Sequence, residues 1–247
     1  MKIAKKQLET AIGLLIVFIL YTISLSLFDV QKIGPQHSEV GFSTINQYVF
    51  QKIGTSEFWY QVTEILGIFP LIIVGYFALR GFFQLYTRKK LLLVDKEILA
   101  LGFLYAGVAA CYVLFEKVII NYRPILVDGQ LEASYPSSHT FLAITVLLSA
   151  FYVLRKETGT GKAIIAYVSL VVMIALVIGR FLSGAHWGTD IFGGILLGLT
   201  LASCYLAGIE SSSKQKKKNV ENSTFLEEPP VGLEPTTSSL PWKRSTS

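Results

Sequence analysis

The strongest constraint on the fold of this chain is a set of six apolar runs. Each run is about long enough to cross a lipid bilayer as a helix. A bilayer core of about 30 Å requires about 20 mostly apolar residues in helical form. The sequence therefore predicts an all-α fold, an integral membrane bundle of six helices. The predicted spans cover residues 11–28, 61–86, 98–115, 140–154, 163–179 and 191–209.

The composition agrees with a chain that faces lipid. Hydrophobic residues make up 52% of the 247 residues and charged residues only 16%, whereas a soluble domain carries about 25% charged residues. This excludes a secreted disulfide-rich module, a disordered regulator and an ordinary cytosolic enzyme. The two cysteines, Cys111 and Cys204, lie inside apolar runs, so neither a disulfide framework nor a zinc site is expected.

The net charge of +5 comes from short basic clusters between the apolar runs, not from one basic face, so we expect no nucleic-acid partner. All four clusters fall on the same side of the six-helix arrangement. The positive-inside rule assigns that side to the cytoplasm. We therefore expect a multi-pass protein of the cell membrane with both termini in the cytoplasm. The clusters lie near residues 2–6, 88–96, 155–162 and 214–218.

The composition of the chain changes near its sixth span. We expect residues 1–209 to form one membrane domain, because the first run is too long for a signal peptide and lacks a small-residue cleavage site. Residues 30–57 are long enough to lie along the outer membrane surface. Residues 210–247 are polar, which predicts a disordered cytoplasmic tail. Its end, 231–247, resembles translated sequence of an adjacent tRNA gene and is assigned no function.

Ionisable residues beside membrane spans are costly and are functional candidates for that reason. At the outer ends of spans three to six the chain places three cations, two of its three histidines and one carboxylate. Three cations with few matching carboxylates favour a multiply charged anion, and phosphate suits guanidinium groups. These residues are Lys117, Arg123, His139, Arg180, His186 and Asp190.

Two of these positions suggest a nucleophile. His186 and Asp190 are four residues apart, so they share a face if the sixth helix begins near His186. The carboxylate could then hold one ring nitrogen and leave the other free to attack. Ser138 and His139 follow a turn that leads into a helix, where backbone N–H groups and a hydroxyl can bind an anion.

These residues resemble the type-2 phosphatidic acid phosphatase family, which is known for three motifs. The third, S-R-x5-H-x3-D, matches at Arg180, His186 and Asp190, with Gly179 in place of the serine. The second, P-S-G-H, matches at residues 136–139, with serine in place of the glycine.

The first motif of the family, K-x6-R-P, matches less closely. Arg123 and Pro124 fit, but Lys117 lies one residue too close and Glu116 occupies the register of the lysine. One residue on a helix turns a side chain by about 100°. The resemblance covers residues 98–209, and all three motifs fall on the same predicted side of the membrane.

The resemblance implies a lipid phosphatase that works without a metal ion or other cofactor and forms a phosphohistidine on the outer face. His186 would be the nucleophile, Asp190 its orienting partner and His139 the general acid. The implied substrate is a lipid phosphate or an isoprenoid diphosphate such as undecaprenyl diphosphate, drawn from the bilayer. The implied phosphate-binding residues are Lys117, Arg123, Ser138 and Arg180.

Three alternatives remain open on the sequence. The substrate could instead be phosphatidate or phosphatidylglycerol phosphate. The cations could serve a non-catalytic transporter of an anion or lipid, although capture alone would need no histidine pair with a carboxylate. A metal site could also form from His139, His186 and Asp190.

Overall fold

The structure is a computed structural model that describes the backbone of residues 2–227 and the side chains of residues 5–211. Within this part the chain forms seven α-helices, two single turns of 3₁₀-helix and isolated bridge pairs in place of a sheet. The helices are α1 (Lys2–Leu27), α2 (Ser43–Ile53), α3 (Glu57–Arg88), α4 (Lys96–Lys117), α5 (Ser138–Lys156), α6 (Thr160–Ser183) and α7 (Gly188–Glu227).

Every described helix except α2 is long and apolar enough to cross a membrane. The spanning part of α1 begins at Lys5 and that of α7 ends at Ser211. This confirms the all-α bundle with six spans in the predicted order. The expected tail, residues 210–247, begins inside α7, which is described as far as Glu227. From position 228 onward the tail lies outside the described residues.

Helices α5 and α7 are the most buried of the six spans. Their close approach depends on glycines of α7, where a side chain would collide with α5 or with the residue that precedes it. A Cβ atom on Gly194 would lie 2.9 Å from the carbonyl oxygen of Ser137, and one on Gly198 would lie 2.8 Å from Cβ of Ile144. The other spans surround this pair and expose many large apolar side chains, as lipid-facing helices should.

The connection between α4 and α5 folds back on itself as a short hairpin-like loop. Tyr122 pairs with Ala133, and the turn contains Asp128 and Gly129, both with positive φ angles. The backbone N–H of Arg123 donates to the carbonyl of Glu132 at 3.0 Å. This loop holds Arg123 close to the first turn of α5.

Residues 30–57, expected to lie at the membrane surface, contain helix α2 and contact the beginning of α7. Buried Asn46 donates through Nδ2 to Thr189 Oγ1 at 2.9 Å, and the Thr189 N–H donates back to Asn46 Oδ1 at 3.3 Å. Helix α2 thereby fixes the residue next to Asp190 in the first turn of α7.

Candidate active site

Two adjoining cavities lie at one end of the bundle, and four of the seven predicted site residues line them. The larger cavity, of about 510 Å³, lies between α3, α4 and α5. Its wall combines apolar side chains of the spans with polar groups of the α4–α5 loop. A smaller cavity of about 20 Å³ adjoins it and reaches His186. Arg123 and Ser138 line both cavities, and His139 lines the larger one.

His186 lies in the short loop between α6 and α7, and its ring is held by Ser134. The Nδ1 atom lies 3.1 Å from the carbonyl oxygen of Ser134 and 3.0 Å from its hydroxyl oxygen. Because a carbonyl can only accept, Nδ1 must carry the hydrogen. In the neutral ring the lone pair is then on Nε2, which is buried and has no hydrogen-bond partner among the described residues.

Asp190 is fully buried and accepts three hydrogen bonds at the start of α7. The donors are the Ser134 hydroxyl at 2.5 Å, Asn121 Nδ2 at 2.9 Å and the Trp187 N–H at 3.1 Å. These contacts satisfy a carboxylate that would otherwise be costly to bury.

The predicted direct hydrogen bond between Asp190 and His186 is wrong. Helix α7 begins at Gly188, so His186 precedes the helix and does not share a helical face with Asp190. Ser134 lies between them instead, since its hydroxyl donates to the carboxylate and its oxygens lie beside Nδ1. Asp190 is therefore linked to His186 through Ser134.

The environment of His186 keeps its ring neutral. Burial lowers the pKa of this histidine well below its ordinary value, and the nearby positive charges of Arg123 and Arg180 act in the same direction. A neutral ring whose Nδ1 is a donor presents an unprotonated Nε2. This is the form that a nucleophile requires at neutral pH.

His139 is in the first turn of α5 and contacts Arg180 from α6. Arg180 Nη2 lies 2.7 Å from His139 Nδ1 and 3.3 Å from Nε2. Arg180 is completely buried and does not line either cavity. It also pairs with Glu64 of α3 at 2.9 Å. Arg180, a predicted phosphate ligand, therefore contacts His139 from outside the cavity lining and has its own carboxylate partner.

Arg123 and Ser138, predicted from the motifs to bind phosphate, lie at the wall shared by the two cavities. The Arg123 side chain is 12% exposed, and its Nε atom lies 3.2 Å from Glu132 Oε2. Ser138 is the first residue of α5. A guanidinium next to the first turn of a helix is a favourable arrangement for an anion.

Lys117 is not brought to the cavity. It is the last residue of α4 and is exposed, whereas Glu116, in the register that the family gives to lysine, lines both cavities. The offset of one residue noted in the sequence thus places a carboxylate next to Arg123 and turns the lysine away.

The geometry gives no support to a metal site built from the two histidines and Asp190. No group of three or more His, Cys, Asp or Glu side chains among the described residues could hold a metal ion. Asp190 is occupied by its three donors, and His139 faces a guanidinium.

Three residues of the site were missed by the sequence reasoning. Ser134 and Asn121 hold Asp190, and Glu64 pairs with Arg180. Ser134 lies close to the second motif and could have been suspected as a neighbour of a catalytic loop. Glu64 gave a weaker signal, as a carboxylate within an otherwise apolar predicted span.

Comparison with known proteins agrees with this arrangement. Residues 98–212 match the family model of the PAP2 superfamily. A crystal structure of a transmembrane PAP2-type phosphatidylglycerolphosphate phosphatase from Bacillus subtilis has a similar fold. The TM-score is 0.57 at 16% sequence identity, over 81% of this chain and 96% of that chain. No curated protein matches the chain significantly. The matched segment contains every site residue that the motifs predicted, and it resembles the PAP2 superfamily within a chain that has six candidate membrane spans among its described residues.

Proposed function

We propose that this chain is an integral membrane phosphatase that removes the terminal phosphate from a lipid phosphate or isoprenoid diphosphate. One observation carries the proposal: His186 lines the smaller cavity together with Arg123 and Ser138, and its buried Nε2 has no hydrogen-bond partner among the described residues. An anion-binding site would need only the cation and the hydroxyl. A histidine ring at the same wall, with a lone pair on Nε2 that no described residue engages, adds a nucleophile.

The first step transfers phosphate to the protein. Nε2 of His186 attacks phosphorus, the bond from phosphorus to the lipid oxygen breaks, and that oxygen leaves with the bonding electrons. Arg123 and the N-terminus of α5 at Ser138 stabilise the negative charge on the phosphoryl oxygens. His139, on the wall of the larger cavity, gives the leaving oxygen its proton.

The second step releases phosphate. A water molecule loses a proton to His139 and attacks the phosphohistidine, and the electrons of the broken P–N bond return to Nε2. Ser134 and Asp190 stabilise the positive ring of the phosphorylated state, because the Nδ1 hydrogen points at oxygens linked to the carboxylate. This mechanism requires no metal ion or other cofactor.

The apolar part of the larger cavity supports a lipid as the substrate. Leu71, Leu142 and Leu176 lie in the same wall as Arg123 and His139, so an acyl or isoprenoid chain and its phosphate can both be accommodated. The structural neighbour from Bacillus subtilis is described as a phosphatidylglycerolphosphate phosphatase. Phosphatidylglycerol phosphate and phosphatidate are therefore the alternative substrates.

The position of the basic clusters supports a site on the outer side. They lie at the ends of the helices opposite to the cavity, at residues 88–96 and 155–162 among the described side chains. By the positive-inside rule those ends are cytoplasmic, so the cavity faces outward.

Purified protein incubated with a chelator and short-chain lipid phosphates tests the proposal. We expect release of inorganic phosphate and, after a rapid acid quench, a labelled phosphoprotein with the acid lability of phosphohistidine. His186→Ala should abolish both. His37→Ala, which changes an exposed histidine in a 3₁₀ turn, is the matched control and should retain both. An active His186→Ala protein would rule out the mechanism.

A further inference from the structure

One face of α3 extends the candidate site beyond the matched segment 98–212. Thr63 and Glu64 follow Tyr60 by three and four positions and precede Gly67 by four and three, so the four residues lie on the same side of the helix. Three of them contact Arg180, and Gly67 adjoins His139. We call these four residues the α3 face.

Arg180 depends on this face for nearly all its partners. Its Nη1 donates to Thr63 Oγ1 at 3.2 Å, its Nη2 lies 2.9 Å from Glu64 Oε1, and its Cζ lies 5.3 Å from the centre of the Tyr60 ring. A buried guanidinium is costly without a carboxylate. Glu64 is the carboxylate within ion-pair distance of Arg180 among the described residues.

Glu64 also reaches His139, the proposed general acid. Its Oε1 lies 3.6 Å from His139 Nε2. Helix α3 can come this close because residue 67 is a glycine: a Cβ atom there would lie 3.3 Å from Cδ2 of His139. One carboxylate therefore lies beside both the guanidinium and the imidazole.

This arrangement matters when His139 carries a second proton. In the neutral ring the nearer nitrogen, Nδ1, accepts from Arg180, because a guanidinium can only donate. The doubly protonated ring can no longer accept, and it faces Arg180 as a like charge at contact distance. A carboxylate in contact with both groups offsets that repulsion.

We propose that Glu64 is a positioning residue for phosphate transfer, acting through Arg180 and His139. It holds the guanidinium in place and supplies the negative charge that lets His139 carry the proton needed by the leaving oxygen. The inference rests on the proposed function, since it presupposes a leaving group that must be protonated.

A purely structural role makes a different prediction. If Glu64 only neutralised a buried arginine, its loss would lower the amount of folded protein and reduce the rate on every substrate by the same factor. If it supports proton donation, its loss should reduce the rate most where the leaving group needs a proton most. The ratio of rates on two substrates separates these roles, because the folded fraction cancels.

The experiment compares dioctanoyl phosphatidate, whose leaving group is an alkoxide, with p-nitrophenyl phosphate, whose leaving group needs little help. For Glu64→Gln we expect the ratio of kcat/KM values to fall about tenfold, below the range of 10²- to 10⁴-fold typical of a whole general acid. Glu57→Gln is the matched control: it makes the same change on the same helix, at an exposed carboxylate bonded to Gln61, and should leave the ratio unchanged.

If the wild-type protein is active and Glu64→Gln leaves the ratio of the two kcat/KM values unchanged, the proposed role of Glu64 is overturned. The proposed phosphatase activity would still stand. Wild-type protein inactive on both substrates would instead reject the proposed function itself. If Glu64→Gln yields no folded protein, Glu64→Asp keeps the charge but withdraws it by one methylene. Its ratio should then lie between those of wild type and His139→Ala, and a wild-type ratio would contradict the proposal.

Discussion

The carbonyl oxygen of Ser134 lies 3.1 Å from Nδ1 of His186, and this contact determines which nitrogen of the ring can react. With the hydrogen fixed on Nδ1, the lone pair is on the buried Nε2 atom of a residue that lines the smaller cavity. The backbone of one loop therefore prepares a side chain in another, 52 positions away.

The hydroxyl of Ser134 can be tested separately from its carbonyl. Ser134→Ala removes the 2.5 Å hydrogen bond to Asp190 but keeps the acceptor for Nδ1. A hydrogen bond to a charged group contributes about 1.5–3 kcal/mol, so we expect kcat to fall by about tenfold or more, with a smaller change in KM. Steady-state kinetics on a lipid phosphate measure this.

Ser149→Ala provides the control for that change, because Ser149 is a buried serine of α5 whose hydroxyl donates to the Val146 carbonyl of its own helix. It should keep the wild-type kcat. A Ser134→Ala enzyme with unchanged kcat would mean that the carbonyl alone orients His186 and that Asp190 serves stability.

The pH dependence of activity follows from the lowered pKa of His186. Burial, and then the charges of Arg123 and Arg180, hold this pKa well below 6.5, so the unprotonated nucleophile persists into mildly acidic solution. We expect the acid limb of kcat/KM against pH to lie below 6.5. Arg123→Gln removes one positive charge and should move that limb to higher pH. A limb that stays in place would contradict the contribution of Arg123.

The same shift affects stability with a defined sign. The pKa of His186 is lower in the folded protein than in the unfolded chain, so the unfolded chain binds the proton more readily. Stability from the neutral ring is complete above the unfolded value of about 6.5 and is lost as the pH falls below it. Thermal unfolding of wild type and His186→Ala between pH 5 and pH 8, in detergent, should show a smaller acid-side loss in the variant.

The two cations of the first motif, Arg123 and Lys117, should contribute unequally to phosphatase activity. Arg123→Ala should reduce kcat/KM by more than tenfold, because this side chain is 12% exposed and lines both cavities. Lys117→Ala should stay within about twofold of wild type, since Lys117 is exposed and outside the cavity wall. A large loss in Lys117→Ala on every lipid phosphate would mean that the lysine bends into the site.

Close packing of α7 against the loop between α4 and α5 predicts that adding a single methyl group to α7 lowers stability. A Cβ atom on Gly193 would lie 2.2 Å from the ring of Tyr135, so Gly193→Ala should destabilise the bundle by about 1–3 kcal/mol. Gly208→Ala, on the same helix, meets nothing within 4 Å and should not lower the melting temperature. Equal melting temperatures for the two variants would show that Tyr135 moves aside freely.

The orientation in the membrane can be tested with cysteines. In a variant lacking Cys111 and Cys204, a cysteine at Asp128 should react with an impermeant thiol reagent added to intact cells, and one at Thr158 should not. Asp128 lies in the loop that carries Arg123, and Thr158 lies at the opposite ends of the spans. The reverse pattern would place the cavity in the cytoplasm.

The helices and the histidines of the site were accessible from sequence because both are encoded locally. An apolar run of sufficient length dictates a span wherever it occurs, and the motif residues lie within short windows around 116–124, 136–139 and 179–190. The start of α7 was not accessible in the same way. It begins two residues after His186, and this small difference replaced a direct contact to Asp190 with one through Ser134.

Contacts between segments that are far apart in the chain could not be predicted from the sequence. Arg180 and Thr63 are 117 positions apart, and nothing near either residue indicates that a guanidinium will be buried against α3. Lys117 illustrates the opposite error: the motif suggested a phosphate ligand, but a rotation of one helical position placed Glu116 at the cavity instead.

The glycine-mediated contact of α5 with α7 affects how the protein responds to its solvent. Helices adapt to thicker or thinner bilayers mainly by tilting. Because the backbones of α5 and α7 touch, and the Ser137 N–H donates to the Asp190 carbonyl at 3.0 Å, these two helices must tilt together. His139 and His186 lie at or next to the N-terminal ends of these two helices. We therefore expect the distance between the two histidines to change little with membrane thickness.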